Sequence, residues 1–300
     1  MRGRRAVLTW ILGSLAACSG TAVFSASGPE APPDVATGRR LYLASCAGCH
    51  GVRGDASGEV AASLFPPPRD LTRGEFRFRS TASGTLPTRD DLARTIALGL
   101  PGSAMPGWGD VLNDSEIGSI VLFVETLSLR FAAEARRPED VLLPADLTPL
   151  AATPELVARG AVLYQKMGCG ECHGPQGRGD GQAAATARNS DGTPSHVFDF
   201  TYGVYKGGDT ARDIYRTFVT GLDGAPMPAF DQSLPDQTDR WALVAYVQSL
   251  GRPRGLAFYL TERPTWREPM AAARPRSPQP LPVAAPVAAP AADAPRADGW

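Results

Sequence analysis

Apolar residues return at helical spacing along much of the chain, and the stretches that show it come in matched pairs. Over 114–128, Ile117, Ile120, Val121 and Val124 fall on one helical face, with Asp114 placed to cap the start. Thr88 can cap a second helix running to Leu98, and the stretch that ends at Cys46 reads as a third. Between them glycine and proline crowd together, as in FPPPRDL (65–71), so those segments are expected to be loops. The pattern predicts a mostly helical protein.

That pattern is written twice. TGRRLYLASCAGCHG (37–51) matches RGAVLYQKMGCGECHG (159–174), with one residue added before the second motif. TRDDLARTIALGLPGSAMPGW (88–108) matches TARDIYRTFVTGLDGAPMPAF (210–230) without gaps, and IVLFVETLS (120–128) matches LVAYVQSLG (243–251). Between these blocks RDLT (69–72) pairs with FDFT (198–201) at an offset of 129 rather than 122–123, so loop insertions compensate. Such self-similarity marks a duplicated unit of about a hundred residues. The expected division is a leader (1–17), a tether (18–34), a first unit (35–130), a linker (131–153), a second unit (154–252) and a tail (253–300). The linker carries Pro138, Pro144 and Pro149, and the tail is rich in proline and alanine, a composition that predicts an extended, disordered arm.

The repeated motifs carry the chemistry. Cys46 and Cys49 stand three apart with His50 directly behind, and Cys169, Cys172 and His173 repeat the arrangement. Cys-x-x-Cys alone suits a redox pair or half a zinc site, but the attached histidine makes it the signature of c-type haem attachment. The two sulfurs, about one helical turn apart, suit thioether bonds to the two vinyl groups of one haem, and the histidine becomes the proximal iron ligand. A structural zinc site is the weaker reading, because 119 residues separate the two cysteine pairs. Two covalently bound haem groups are expected, each with its iron.

Composition adds the compartment. A hydrophobic content of 43% supports globular cores, and a net charge of −1 argues against nucleic acid. Four of five cysteines belong to the attachment motifs, leaving Cys18. It follows a basic start (Arg2, Arg4, Arg5) and an apolar run, Ala6 to Ala17, too short to span a bilayer. This reads as a secretory signal. LAAC (15–18) resembles the bacterial lipobox, which makes Cys18 the expected lipidation site and the membrane, through that anchor, a partner. Ordinary cleavage near Ala26 and Ser27 is the alternative. Ser19 lacks the aspartate that resembles an inner-membrane retention signal, so the outer membrane is the expected address.

What fills the sixth iron position separates carriers from catalysts. Met105 and Met227 fall 55 and 54 residues after His50 and His173, and Pro106 and Pro228 bias both towards extended backbone. A thioether offered from a glycine- and proline-rich loop is what a sixth ligand requires. Met167 sits on the wrong side of the attachment motif, Met270 lies outside both repeats, and His196 has no partner in the first copy, where Pro67 aligns. Cys-x-x-Cys-His, a long loop, Met-Pro and a C-terminal helix resemble class I cytochromes c, and the tandem resembles their two-haem members over roughly 35–251. The resemblance implies all-α modules with crossing terminal helices and His/Met iron. Both units are longer than the smallest members, between attachment motif and methionine. Trp108 and Phe230 are expected against haem, Arg94 and Arg216 either at a haem propionate or on the helix surface, and Asp70 and Asp199 as turn-formers with Thr72 and Thr201.

The expected function is one-electron transfer between redox proteins, free or within a respiratory complex. A dihaem enzyme, either a peroxidase or a sulfur-compound oxidoreductase, is the alternative, and it requires an open or exchangeable iron position.

Overall fold

The computed structural model describes residues 31–144 and 146–251. The leader, Cys18, Met270 and the tail lie outside them. Among the described residues the regular structure is helical, with isolated bridges but no strand.

In the first repeat, α1 (Val35–Ser45) begins where the Asp34 carboxylate accepts the Thr37 amide at 2.9 Å. The one-turn α2 (Ala47–His50) follows directly. Then come α3 (Arg89–Leu98) and α4 (Asp114–Thr126), and a short α5 (Arg130–Ala133). In the second repeat, α6 (Pro154–Lys166), α7 (Cys169–His173), α8 (Ala211–Thr220) and α9 (Gln237–Leu250) recur in the same order. Thr88 caps α3 as its sequence predicts, in a reciprocal box with Asp91, and Thr210 and Asp213 repeat the box at α8. The start of α4 differs from expectation by one residue. Asn113 is the cap, because it lies outside the helix in extended backbone and accepts the Glu116 amide at 2.8 Å; Asp114 is already helical.

Each repeat crosses its first helix over its last. α1 buries Gly38 and Tyr42 against Ile120 and Phe123 of α4, and α6 buries Gly160, Leu163 and Tyr164 against Ala242 and Leu243 of α9. Each large apolar side chain so buried contributes roughly 1.5–3 kcal/mol. The crossing is what fixes the attachment motif, since α2 and α7 continue from the buried ends of α1 and α6.

The segment between the repeats is not a loose connection. Leu143 and Leu147 are buried with Ile214, Tyr215, Val219, Trp241 and Val244 of the second repeat. Its other side holds the first repeat: the Ala82 amide donates to Asp140 O at 2.7 Å and the Leu142 amide to Ser80 O at 2.9 Å.

The repeats also dock directly, through the insertions that break their alignment. His50 and Asp70 are 20 positions apart but His173 and Asp199 are 26, and Asp70 to Thr88 is 18 against 11 for Asp199 to Thr210. Asn189 and Ser190, from the longer loop of the second repeat, take Arg77 Nη2 at 2.7 Å and Arg73 Nη2 at 3.2 Å. Ser83 and Gly84, from the longer loop of the first, donate to Asp223 at 2.8 and 3.1 Å. What looked like compensating slack is the interface.

Candidate haem sites

The attachment residues sit on single helical turns. The amides of Cys49 and His50 both donate to Cys46 O, at 3.1 and 2.9 Å, which places the two sulfurs on one side of the turn. Cys169, Cys172 and His173 occupy α7 in the same way. Burial pushes the Cys46 and Cys169 thiols up to about 11. Among the described residues no group of three or more His, Cys, Asp or Glu could hold a metal ion by itself.

Both histidines are locked by backbone. His50 Nδ1 lies 3.0 Å from Arg69 O, and His173 Nδ1 lies 3.1 Å from Phe198 O. A carbonyl can only accept, so Nδ1 carries the proton and the Nε2 lone pair is free for iron. Burial holds both imidazoles below their ordinary pKa, which keeps that lone pair available. The carbonyls are themselves fixed by the next residue. Asp70 accepts the Thr72 amide at 2.9 Å and its hydroxyl at 2.6 Å, and Asp199 accepts those of Thr201 at 2.8 and 2.7 Å. The turn role expected for these aspartates holds, and it fixes the carbonyl that each histidine meets. In the second repeat Phe200 also stacks on His173, with ring centroids 4.2 Å apart; the first has Leu71 at that place.

A second lock was visible in the repeat as the shared Leu-Tyr but carried no assigned role. Tyr42 and Tyr164, each 1% exposed, donate their hydroxyls to Gly51 O at 2.8 Å and Gly174 O at 2.7 Å. These glycines close the attachment motif with φ of 81° and 76° and ψ near 155°, a region essentially confined to glycine. Each carbonyl also accepts the amide of Gly54 or Gly177 at 3.1 Å, so Tyr42→Phe and Tyr164→Phe are each expected to cost about 0.5–1.5 kcal/mol, the net worth of one hydrogen bond. Urea denaturation of the haem-loaded protein measures it.

The methionine loops are built alike. α3 ends at Gly99 (φ 66°) and α8 at Gly221 (φ 69°). The chain then doubles back, so that the Leu100 amide donates to Met105 O and the Leu222 amide to Met227 O, both at 3.0 Å. The Trp108 amide returns to Ile96 O at 3.1 Å, and that of Phe230 to Phe218 O at 3.0 Å. Met105 and Met227, both part-buried, therefore share one backbone frame. Met167 is elsewhere, at the end of α6 against Leu163 and Tyr164. His196 lies in a loop with its ring 6.2 Å from Phe65.

Arg94 and Arg216 meet neither sequence expectation cleanly, because both turn to Asp213. Arg94 Nη2 reaches it at 2.6 Å across the interface, and Arg216 lies 3.4 Å from it while donating to Gly207 O at 2.5 Å. Arg77 and Lys206 were not singled out, yet they occupy the same repeat position, seven residues after Asp70 and Asp199. Burial lowers both, Arg77 to about 10, and Arg77 Nε is buried without a partner. Cations so placed fit the two carboxylates of a haem.

Residues 33–124 match the family described as cytochrome c oxidase, cbb3-type, subunit III, and residues 157–251 match the family cytochrome c. The chain of a Kuenenia stuttgartiensis reducing HAO-like protein complex is 38% identical, with a TM-score of 0.69 over 75% of this chain and 100% of that one. The protein is a tandem class I cytochrome c. This cytochrome is also 26% identical over 222 residues to the cbb3-type cytochrome c oxidase subunit CcoP of Azospirillum brasilense, covering 72% of this chain and 62% of CcoP. Cytochrome c55X of Stutzerimonas stutzeri is 34% identical over 86 residues, 29% of this chain and 61% of that protein. The cytochrome thus spans about six tenths of the length of these two curated relatives. The two cytochrome c matches imply covalently bound haem c.

Proposed function

We propose that this cytochrome passes electrons one at a time between redox proteins through two haems, one in each repeat. Cys46 and Cys49 hold the first by thioether bonds, and Cys169 and Cys172 the second. His50 and Met105 ligate one iron, His173 and Met227 the other. The observation that carries this reading is the duplication of the whole ligand frame: a histidine locked by a carbonyl and a methionine in a doubled-back loop, in both copies. The bound haem supplies one-electron chemistry at iron. The chain supplies burial, the fixed tautomer of each histidine, and a thioether that favours the ferrous state. Arg77 and Lys206 offset haem carboxylates in a part-buried setting. With all six iron positions filled, no substrate position is open, which disfavours the peroxidase and sulfur-compound oxidoreductase readings.

The expected result is a mature protein heavier than its polypeptide by two haems, with both irons low-spin when oxidised. A mass gain of one haem, or a high-spin iron at rest, overturns it.

Membership of a larger complex is the second reading. The names of two relatives support it, a subunit of a cbb3-type oxidase and a chain of a HAO-like complex. Attachment of c-type haem outside the bacterial cytoplasm supports an exported protein, which the leader residues would send there and Cys18 would anchor. Labelled fatty acid should enter the wild-type protein and not Cys18→Ser; failure to label the wild type refutes the anchor.

A further inference from the structure

The two repeats dock directly, and one of the contacts between them is not reciprocated. Arg79 of the first repeat is fully buried and reaches the second. Its Nη2 donates to Thr220 O at 2.7 Å and pairs with Asp223 Oδ1 at 2.8 Å, and its Nη1 lies 3.4 Å from Gly221 O. Bonds to Phe76 O and Ala82 O, both 3.3 Å, hold the guanidinium to its own repeat. Asp223 also accepts from Ser83 and Gly84. Thr220, Gly221 and Asp223 form the approach to Met227, whose carbonyl accepts the amide of Leu222 between them. The first repeat therefore clasps the methionine loop of the second.

Among the described residues no reverse clasp is formed. The repeat equivalent of Arg79 is Gly208, and that of Asp223 is Pro101. These two line one cavity of about 370 Å³ together with Leu98, Gly99 and Leu100. Neither carries a side-chain donor or acceptor.

We propose that Arg79 is a positioning residue for Met227 and makes the two irons unequal. Met227 is held by the clasp, while Met105 is the ligand that an added small molecule displaces. This rests on the reading that Met105 and Met227 are the sixth ligands. The physical ground is that displacing a methionine moves its loop. In the second repeat that movement breaks a buried ion pair and several charge-assisted bonds, whereas the first has no such contact to break.

Imidazole titration of the full-length oxidised cytochrome tests this through the weak red sulfur-to-iron absorption band. The expected wild-type result is two phases of equal amplitude, with midpoints at least tenfold apart. Met105→Ala should remove the phase at low imidazole and Met227→Ala the phase at high imidazole. Arg79→Ala should bring the second midpoint down to the first, and Arg79→Lys should restore part of the gap. If Arg79→Ala does not mature with haem, Asp223→Asn carries the same test, because it keeps the volume and removes the charge. Coincident phases in the wild type, or a gap unchanged in these variants, overturn the proposal while leaving the ligands intact. A band indifferent to Met105→Ala or Met227→Ala overturns the ligand reading, and the proposal with it.

Discussion

Replacing Gly38 or Gly160 by alanine is expected to destabilise its repeat by about 2–3 kcal/mol or more, although helix propensity alone predicts the opposite sign. Both glycines lie inside helices, where alanine is ordinarily better by about 1 kcal/mol. At Gly38, however, an added methyl would collide with the Ser119 carbonyl of α4, and at Gly160 with the Ala242 carbonyl of α9. The obstructing atoms are backbone, so no rotamer change relieves them. The helices must separate, and Tyr42 or Tyr164 moves with them. Gly48 is the control, since a methyl there meets nothing within 4 Å and Gly48→Ala should be close to neutral. Urea unfolding of the haem-loaded protein measures the difference. Stabilisation by Gly38→Ala or Gly160→Ala would show that the close crossing is not what holds the repeat together.

Those glycines show how much the sequence revealed and where it stopped. Their recurrence in TGRRLY and RGAVLY was legible, and so was the helix around each, because helical spacing is a local property. The partner was not legible, since a close approach between helices some 80 residues apart leaves no mark beyond a small residue. The metal side followed the same rule. Cys-x-x-Cys-His and Met-Pro announce themselves through residue type and spacing. The carbonyls of Arg69 and Phe198 that fix the histidine tautomer are backbone atoms, and any residue can supply one. RDLT and FDFT gave the place but not the role.

Arg79 and Asp223 were harder still. Both lie in loops without periodicity, both depart from the repeat, and a reading built on what the copies share passes over what they do not. Arg94 and Arg216 show the converse case. Their equivalence left a haem propionate and the helix surface both open, and what it could not show is that the docking of the two copies brings both to one carboxylate, Asp213.

Replacing Met105 or Met227 by histidine is expected to lower the potential of that haem alone, by several times the ~59 mV that shifts a one-electron equilibrium tenfold. Methionine favours ferrous iron more than imidazole does, so the exchange stabilises the oxidised state while leaving six ligands and a low-spin iron. Half of the red sulfur-to-iron band should vanish in each variant, and a redox titration should show one haem displaced and one in place. The alanine variants separate ligation from potential, because they open the iron to small ligands without offering an imidazole. If Met227→His left both potentials where they were, Met227 would not be the ligand, and His196 would become the first candidate in the second repeat. Its ring lies 6.2 Å from Phe65, and the first copy has Pro67 at its place. The two repeats would then ligate iron differently, and the matched backbone around Met105 and Met227 would serve the fold rather than the metal. Two unchanged potentials are therefore the outcome that would dismantle the symmetric carrier, and a single displaced one is what the shared loop geometry requires.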